Sequence, residues 1–285
     1  MRLKGVIHKS YPQCGQRYRQ GVDNATEKRK ENRLKNREKC SIMIKRGFAR
    51  RWKDMEIPDF PAGAEERING EKREKFRLFR EILLEYNRKY NLTSITDERE
   101  IFYKHFLDSA AGAFLFPSGA NVAEVGSGAG FPSLVLKILR EDLSFTLFES
   151  VGKKCDFLRV AVDKLGLSGV NIMQMRAEDA AGEEKFREKF DFCTARAVAR
   201  MNTLCEYCLP LVRVGGAFVA YKSGDRAEIG EAEKAVRLLG GERAEIYEYE
   251  LPEGFGSRTL AVVKKRAHTP AKYPRGQGKP RKQPL

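Results

Sequence analysis

The chain has 285 residues, 41% apolar and 33% charged, with 54 basic against 39 acidic side chains and a formal net charge of +15. That length gives one or two domains with a full hydrophobic core. No apolar run approaches the roughly 18–20 residues of a membrane span and the N-terminus lacks the apolar stretch of a secretory signal, so a membrane or exported protein is argued against and a cytoplasmic one expected.

Residues 1–54 carry 17 basic and 5 acidic side chains, rich in Lys, Arg, Asn and Gln with few apolar residues, and read as a basic, disordered extension. A second explanation involves no function. Arg50-Arg51-Trp52 can be written in the purine-rich codons AGG AGG TGG, which would resemble a ribosome-binding site ahead of Met55, making Met55 the start. Residues 55–118 form a helical segment. Phe76, Phe79, Ile82, Leu83 and Tyr86 recur at three and four, an amphipathic stripe broken at Asn91-Leu92-Thr93-Ser94. A second helix starts from Asp97 as N-cap and runs through His105 and Asp108 towards Phe116.

Short apolar runs at 121–125, 143–148, 170–175, 190–194 and 216–221 alternate with helical patterns at 131–140, 152–166 and 200–213 and a short one near 178–185. This alternation predicts an α/β fold, a mostly parallel sheet with helices on both faces. Two more strands at 243–251 and 257–264 have only a short loop between them, which forces an antiparallel final hairpin. The unit spans 119–266 and is followed by a Pro/Gly-rich tail, 267–285, expected to form neither helix nor strand.

Residues 264–285 hold eight basic and no acidic side chains, whereas the stretch 55–263 has a net charge of −5. An acidic body with basic ends reads as a folded unit whose arms neutralise phosphates and steer an anionic partner, with solvated, partnerless arms as the alternative. The six cysteines, at 14, 40, 155, 193, 205 and 208, read as reduced thiols, and Cys205-Glu206-Tyr207-Cys208 as a helix that places two of them three apart rather than a metal site.

The strongest chemical signal is Val122-Ala123-Glu124-Val125-Gly126-Ser127-Gly128-Ala129-Gly130-Phe131-Pro132, a strand running into a glycine cluster with Pro132 at the expected first helical turn. Glycines permit the sharp turn and let a ligand approach the backbone. The spacing is GxGxG, not GxGxxG, and no Gly-Lys-Ser/Thr follows. Glu149 closes the next strand about 20 residues on, where a carboxylate accepts hydrogen bonds from a ribose diol. Arg176-Ala177-Glu178 follows the third strand and places a second carboxylate towards the nucleoside end. Arg196 ends the fourth strand, where active-site residues gather in open α/β sheets, and suits either a carboxylate or a phosphate.

With these motifs, and with Asn91-Leu92-Thr93, His105-Phe106-Leu107-Asp108-Ser109, Thr194-Ala195-Arg196-Ala197 and the Lys-Tyr-Pro-Arg tail, the sequence from about 70 to 285 resembles the glucose-inhibited-division-protein-B, or RsmG, family of small-subunit rRNA guanine-N7 methyltransferases. The resemblance implies a class-I, Rossmann-like methyltransferase that binds S-adenosylmethionine at the carboxyl edge of the sheet and uses no metal. It carries cofactor contacts onto Gly126, Phe131, Ala177, Glu178 and Arg196; the physical reading adds Gly128 and Glu149. Arg196 is also the candidate for positioning in catalysis. The implied partner is 16S rRNA or the small ribosomal subunit, with a monomer as the default state.

Lys222 and Arg258 at the sheet edge and Lys272, Tyr273, Arg275, Lys279, Arg281 and Lys282 in the tail are the expected RNA contacts, with Tyr273 stacking on an unpaired base. On this reading, removing 267–285 weakens RNA binding and spares cofactor binding. His105 and Asp108, three apart, read first as a helix pair rather than acid–base catalysts. A class-I methyltransferase acting on a protein or small molecule is the alternative; a nicotinamide-dependent oxidoreductase is disfavoured by the loop spacing.

Overall fold

The computed structural model describes residues 70–223 and 226–285; the expectations for residues 1–54 and for a start at Met55 lie outside the described residues. Helix α1 (Gly70–Tyr90) buries Phe76, Phe79, Ile82 and Leu83, the stripe predicted from periodicity. After the turn, Asp97 caps α2 by accepting the Glu100 N–H. This helix begins as Glu98–Glu100, widens into a π-helix over Ile101–Leu107 and closes as Asp108–Ala110. It stops short of Phe116.

Then follow β1 (Asn121–Val125), α3 (Ser133–Leu139), β2 (Ser144–Glu149), α4 (Gly152–Lys164), β3 (Val170–Gln174), the short α5 (Ala177–Ala180), β4 (Phe190–Arg196), α6 (Met201–Cys208) and β5 (Val212–Ser223). Two helices that the sequence reading left without an element, α7 (Arg226–Glu231) and α8 (Glu233–Leu238), precede β6 (Glu245–Leu251) and β7 (Gly256–Lys264). The seven strands form one sheet in the order β3-β2-β1-β4-β5-β7-β6. Strands β1 to β5 pair in parallel, and β7 runs antiparallel to both β5 and β6, so β7 alone is reversed. The hairpin predicted from the short loop is present, with its second strand inserted inside its first.

Period-two alternation sends side chains to opposite faces, and each face has its own core. On one, Phe145 and Leu147 pack with Phe76, Phe79, Phe106, Phe131, Leu134 and Leu158. On the other, Val125, Phe148, Phe190, Leu204, Phe218 and Val236 pack together. Helices α1 and α2 thus share one core with the sheet.

The tail departs from expectation. Tyr273 is only 7% exposed and belongs to the second core, and residues Lys279–Lys282 form a short helix, α9. Arg187 donates to the carbonyls of Thr269 and Tyr273 at 2.8 Å each. Lys265, fully buried, donates to Glu188, Thr269 Oγ1 and the Leu209 and Val212 carbonyls. The Arg275 guanidinium makes a fork on Glu206, Nε to Oε1 at 2.9 Å and Nη2 to Oε2 at 2.7 Å, and the Glu206 side chain is wholly buried. Tyr273 is therefore packed into the protein interior and Arg275 is engaged by the buried Glu206, in place of the outward RNA contacts expected of them.

A buried carboxylate stripped of its cation is left uncompensated. Arg275→Ala is expected to cost about 3 kcal/mol in urea unfolding. The exposed Lys282→Ala should stay within about 0.5 kcal/mol of the parent.

Candidate active site

The loop after β1 is tied down by its own backbone. Gly126 N–H donates to the Phe148 carbonyl at 2.8 Å and Gly130 N–H to the Ser127 carbonyl at 2.7 Å. Gly126 has φ +69°, and a Cβ on it would stand 2.6 Å from Val198 Cγ2, so the position demands glycine. A Cβ on Gly128 would meet nothing nearer than the Gly126 carbonyl oxygen at 3.8 Å, which leaves that side of the loop open.

Glu149 at the end of β2 points its carboxylate under this loop. Its Oε2 accepts from Gly128 N–H at 2.9 Å and its Oε1 from Val151 N–H at 2.8 Å. A carboxylate has about four acceptor positions, so capacity remains on both oxygens while the group itself is held rigidly. Beyond β3, Ala177 and Glu178 open α5, and Glu178 Oε1 is buried with no hydrogen-bond partner.

Arg196 ends β4 on the other side of the loop. Its Nη1 donates to Asp108 Oδ2 and to the Lys104 carbonyl, both at 2.9 Å, and its Nη2 lies 2.9 Å from His105 Nδ1. The guanidinium stands 5.0 Å from the centre of the Phe131 ring. Asp108 in turn accepts the Tyr249 hydroxyl at 2.6 Å. The pairing of α2 with the sheet edge thus runs through charge and hydrogen bonds, and His105 and Asp108 both face Arg196 rather than acting as a pair between themselves.

The sequence reading passed over Glu124. It lies on β1 between Ala123 and Val125, fully buried, and neither oxygen has a hydrogen-bond partner; Ser127 and Ser133 lie alongside. Burial pushes its pKa from the ordinary 4.5 up to about 8. A charged residue inside an otherwise apolar strand was the signal that could have marked it.

The expected RNA contacts divide. Lys222 is held by Glu228 at 2.7 Å and the Ala199 carbonyl, and Arg258 lies 3.7 Å from Asp108. Lys272, Lys279, Arg281 and Lys282 are exposed. Cys205 and Cys208 are buried on α6, as is Cys193 on β4.

A sheet ordered 3-2-1-4-5-7-6 with β7 reversed, a glycine loop after its first strand and an acid closing its second, is the architecture of a class-I methyltransferase. Comparison with known proteins narrows this. Residues 72–254 match the rRNA small subunit methyltransferase G family. Relatives named ribosomal RNA small subunit methyltransferase G include that of Lactobacillus acidophilus, 45% identical over 76% of this chain and 93% of its own. That of Lactobacillus delbrueckii subsp. bulgaricus is 48% identical over 74% of this chain and 91% of its own. A third, of Exiguobacterium sibiricum, is 46% identical over 74% and 90%. The chain belongs to the rRNA small subunit methyltransferase G family. A solved S-adenosylmethionine-dependent O-methyltransferase of Thermotoga maritima overlaps 66% of the chain, and 73% of its own, with a TM-score of 0.47 and 16% identity.

The native state retains the Glu124 proton to about pH 8, while an unfolded glutamate releases it near 4.5. The benefit of that raised pKa is complete below 4.5 and lost as pH rises through 8. Ligand-free protein is expected to lose stability over this range, and Glu124→Gln to flatten that slope in thermal melts from pH 5 to pH 9.

Proposed function

We propose that the protein transfers the methyl group of S-adenosylmethionine to N7 of a guanine in 16S rRNA. The observation that carries the reading is the carboxylate of Glu149, fixed by two backbone N–H groups beside an open glycine loop at the carboxyl edge of the sheet. A ribose diol needs such an acceptor there, and the orphaned Glu178 oxygen offers a further one at the nucleoside end. The residues fit the cofactor: Gly126 and Gly128 for close backbone approach, Glu149 for the ribose, Ala177 and Glu178 for the base, Phe131 and Arg196 at the amino-acid end.

The bound cofactor supplies a sulfonium methyl, an electrophile. Guanine N7 carries a free lone pair, so the chain has no proton to remove before attack. Its residues contribute by holding the acceptor in line and excluding water, which suffices for large accelerations. Arg196 positions rather than exchanges protons, since a guanidinium stays charged.

For the RNA, the exposed cations of α9 are the best-placed part of the tail. Thr203, in the first turn of α6 just beyond β4, donates to the Pro280 carbonyl at 3.0 Å, which puts Arg281 and Lys282 near the carboxyl edge. Cationic contacts give affinity and orientation, and the choice of base falls to the pocket.

The test is incubation of the purified protein with S-adenosylmethionine and small subunits or deproteinised 16S rRNA, followed by mass mapping of the RNA. One N7-methylated guanine is the expected product; methyl on another atom, or only on protein, overturns the assignment. Arg196→Lys keeps a cation for Asp108 but loses the planar fork. It should remain folded by circular dichroism and lose at least about 100-fold in methylation, in line with a misplaced reactive geometry.

A further inference from the structure

Two features of the sequence, Asn91-Leu92-Thr93 and His105, are absorbed by neither the cofactor contacts nor the RNA contacts, and the fold joins them. The Thr93 backbone N–H is held by Asn87 Oδ1 at 2.9 Å, and its hydroxyl oxygen accepts the Ile95 N–H at 3.1 Å. That hydroxyl also lies 2.9 Å from His105 Nε2, while His105 Nδ1 lies 2.9 Å from Arg196 Nη2.

An arginine only donates. The Nδ1 atom must therefore offer a lone pair, Nε2 must carry the proton, and Thr93 must accept it. The tautomer follows from the partners. The ring is 9% exposed and stacks on Phe131 with centroids 4.5 Å apart at 22°. Burial first, and the Arg196 charge second, push the imidazole pKa down to about 3, so the ring is neutral.

Counting donors gives the consequence. Arg196 has five N–H bonds; two on Nη1 go to Asp108 and the Lys104 carbonyl, and one on Nη2 goes to His105. The Nε–H and the second Nη2–H remain, in the fixed plane that matches a carboxylate or phosphate. A second carboxylate in place of the imidazole would also orient the guanidinium, but would set two negative charges against an anionic ligand. A neutral acceptor orients it without that repulsion.

We propose that His105 is a positioning residue, braced by Thr93, that fixes the Arg196 guanidinium against Phe131 so that its two remaining donors grip the carboxylate of the cofactor's amino-acid end. This rests on the cofactor reading given above. The experiment is calorimetric titration of the full chain with S-adenosylmethionine and with its decarboxylated analogue. The parent is expected to favour the carboxylated donor by about 10- to 100-fold, the range for hydrogen bonds to a charged group.

His105→Phe keeps an aromatic ring for the Phe131 stack and removes the acceptor; Thr93→Val removes the brace. Each should lower that preference about tenfold through weaker binding of the carboxylated donor alone, while Thr93→Ser retains it. If His105→Phe does not fold, the Thr93 pair decides. A preference unchanged in Thr93→Val overturns the proposal, as does a parent that binds both donors equally. A parent that binds neither donor overturns the cofactor reading itself, which is a separate result.

Discussion

The ion pair between Arg196 and Asp108 is the constraint on which the site depends. One partner ends a central strand and the other lies on a helix some ninety residues earlier in the chain. Both side chains are largely buried, so neither charge can be left alone without a large penalty. Meeting that condition fixes where α2 sits relative to the sheet edge. The same condition brings Tyr249 to Asp108 and the Lys104 carbonyl to Arg196. The widened π turn across Ile101–Leu107 carries both Lys104 and His105, an irregularity of the sort that collects at functional sites.

Around this pair the molecule divides its work between backbone and side chains. The glycine loop and Glu149 are organised by main-chain hydrogen bonds and accept a ligand by shape and by spare acceptor capacity. The opposite wall is organised mainly by side chains: His105 and Arg196 lie against the Phe131 ring, which in turn packs at a tilt against Phe79 and Phe106 from the helices. The aromatic ring of the loop is thus the joint between the two halves.

Much of this was legible in the sequence. The stripe on α1, the alternation of strands and helices, and the hairpin follow from periodicity and loop length, which are local properties. Helices α7 and α8 were missed because two buried positions, Ala235 in α8 and Ala232 at the junction between the helices, carry too little apolar area to stand out among charges. The π turn leaves no mark in composition. The tail misled for a different reason: its Pro, Gly and cations look solvated until one sees that Glu206 and Glu188, about seventy and eighty residues earlier, hold Arg275 and the Thr269 N–H. Long-range charge pairing has no period, so it cannot be read from spacing. The His105 contacts were hidden in the same way, since they depend on which residues the topology brings alongside.

Several cations around the carboxyl edge already have carboxylate partners. Arg99 pairs with Glu253, Arg200 with Glu231, Lys222 with Glu228 and Arg226 with Glu248. A polyanion docking there, as the proposed function has it, would exchange one oxyanion for another at each of these positions, with the displaced carboxylate returning to water. Such an exchange would make the net release of ions smaller than the count of basic residues touched. On the proposed RNA-binding reading, the rim would behave as an ion-exchanger with a resident counter-charge, its salt dependence shallower than the number of its basic residues suggests.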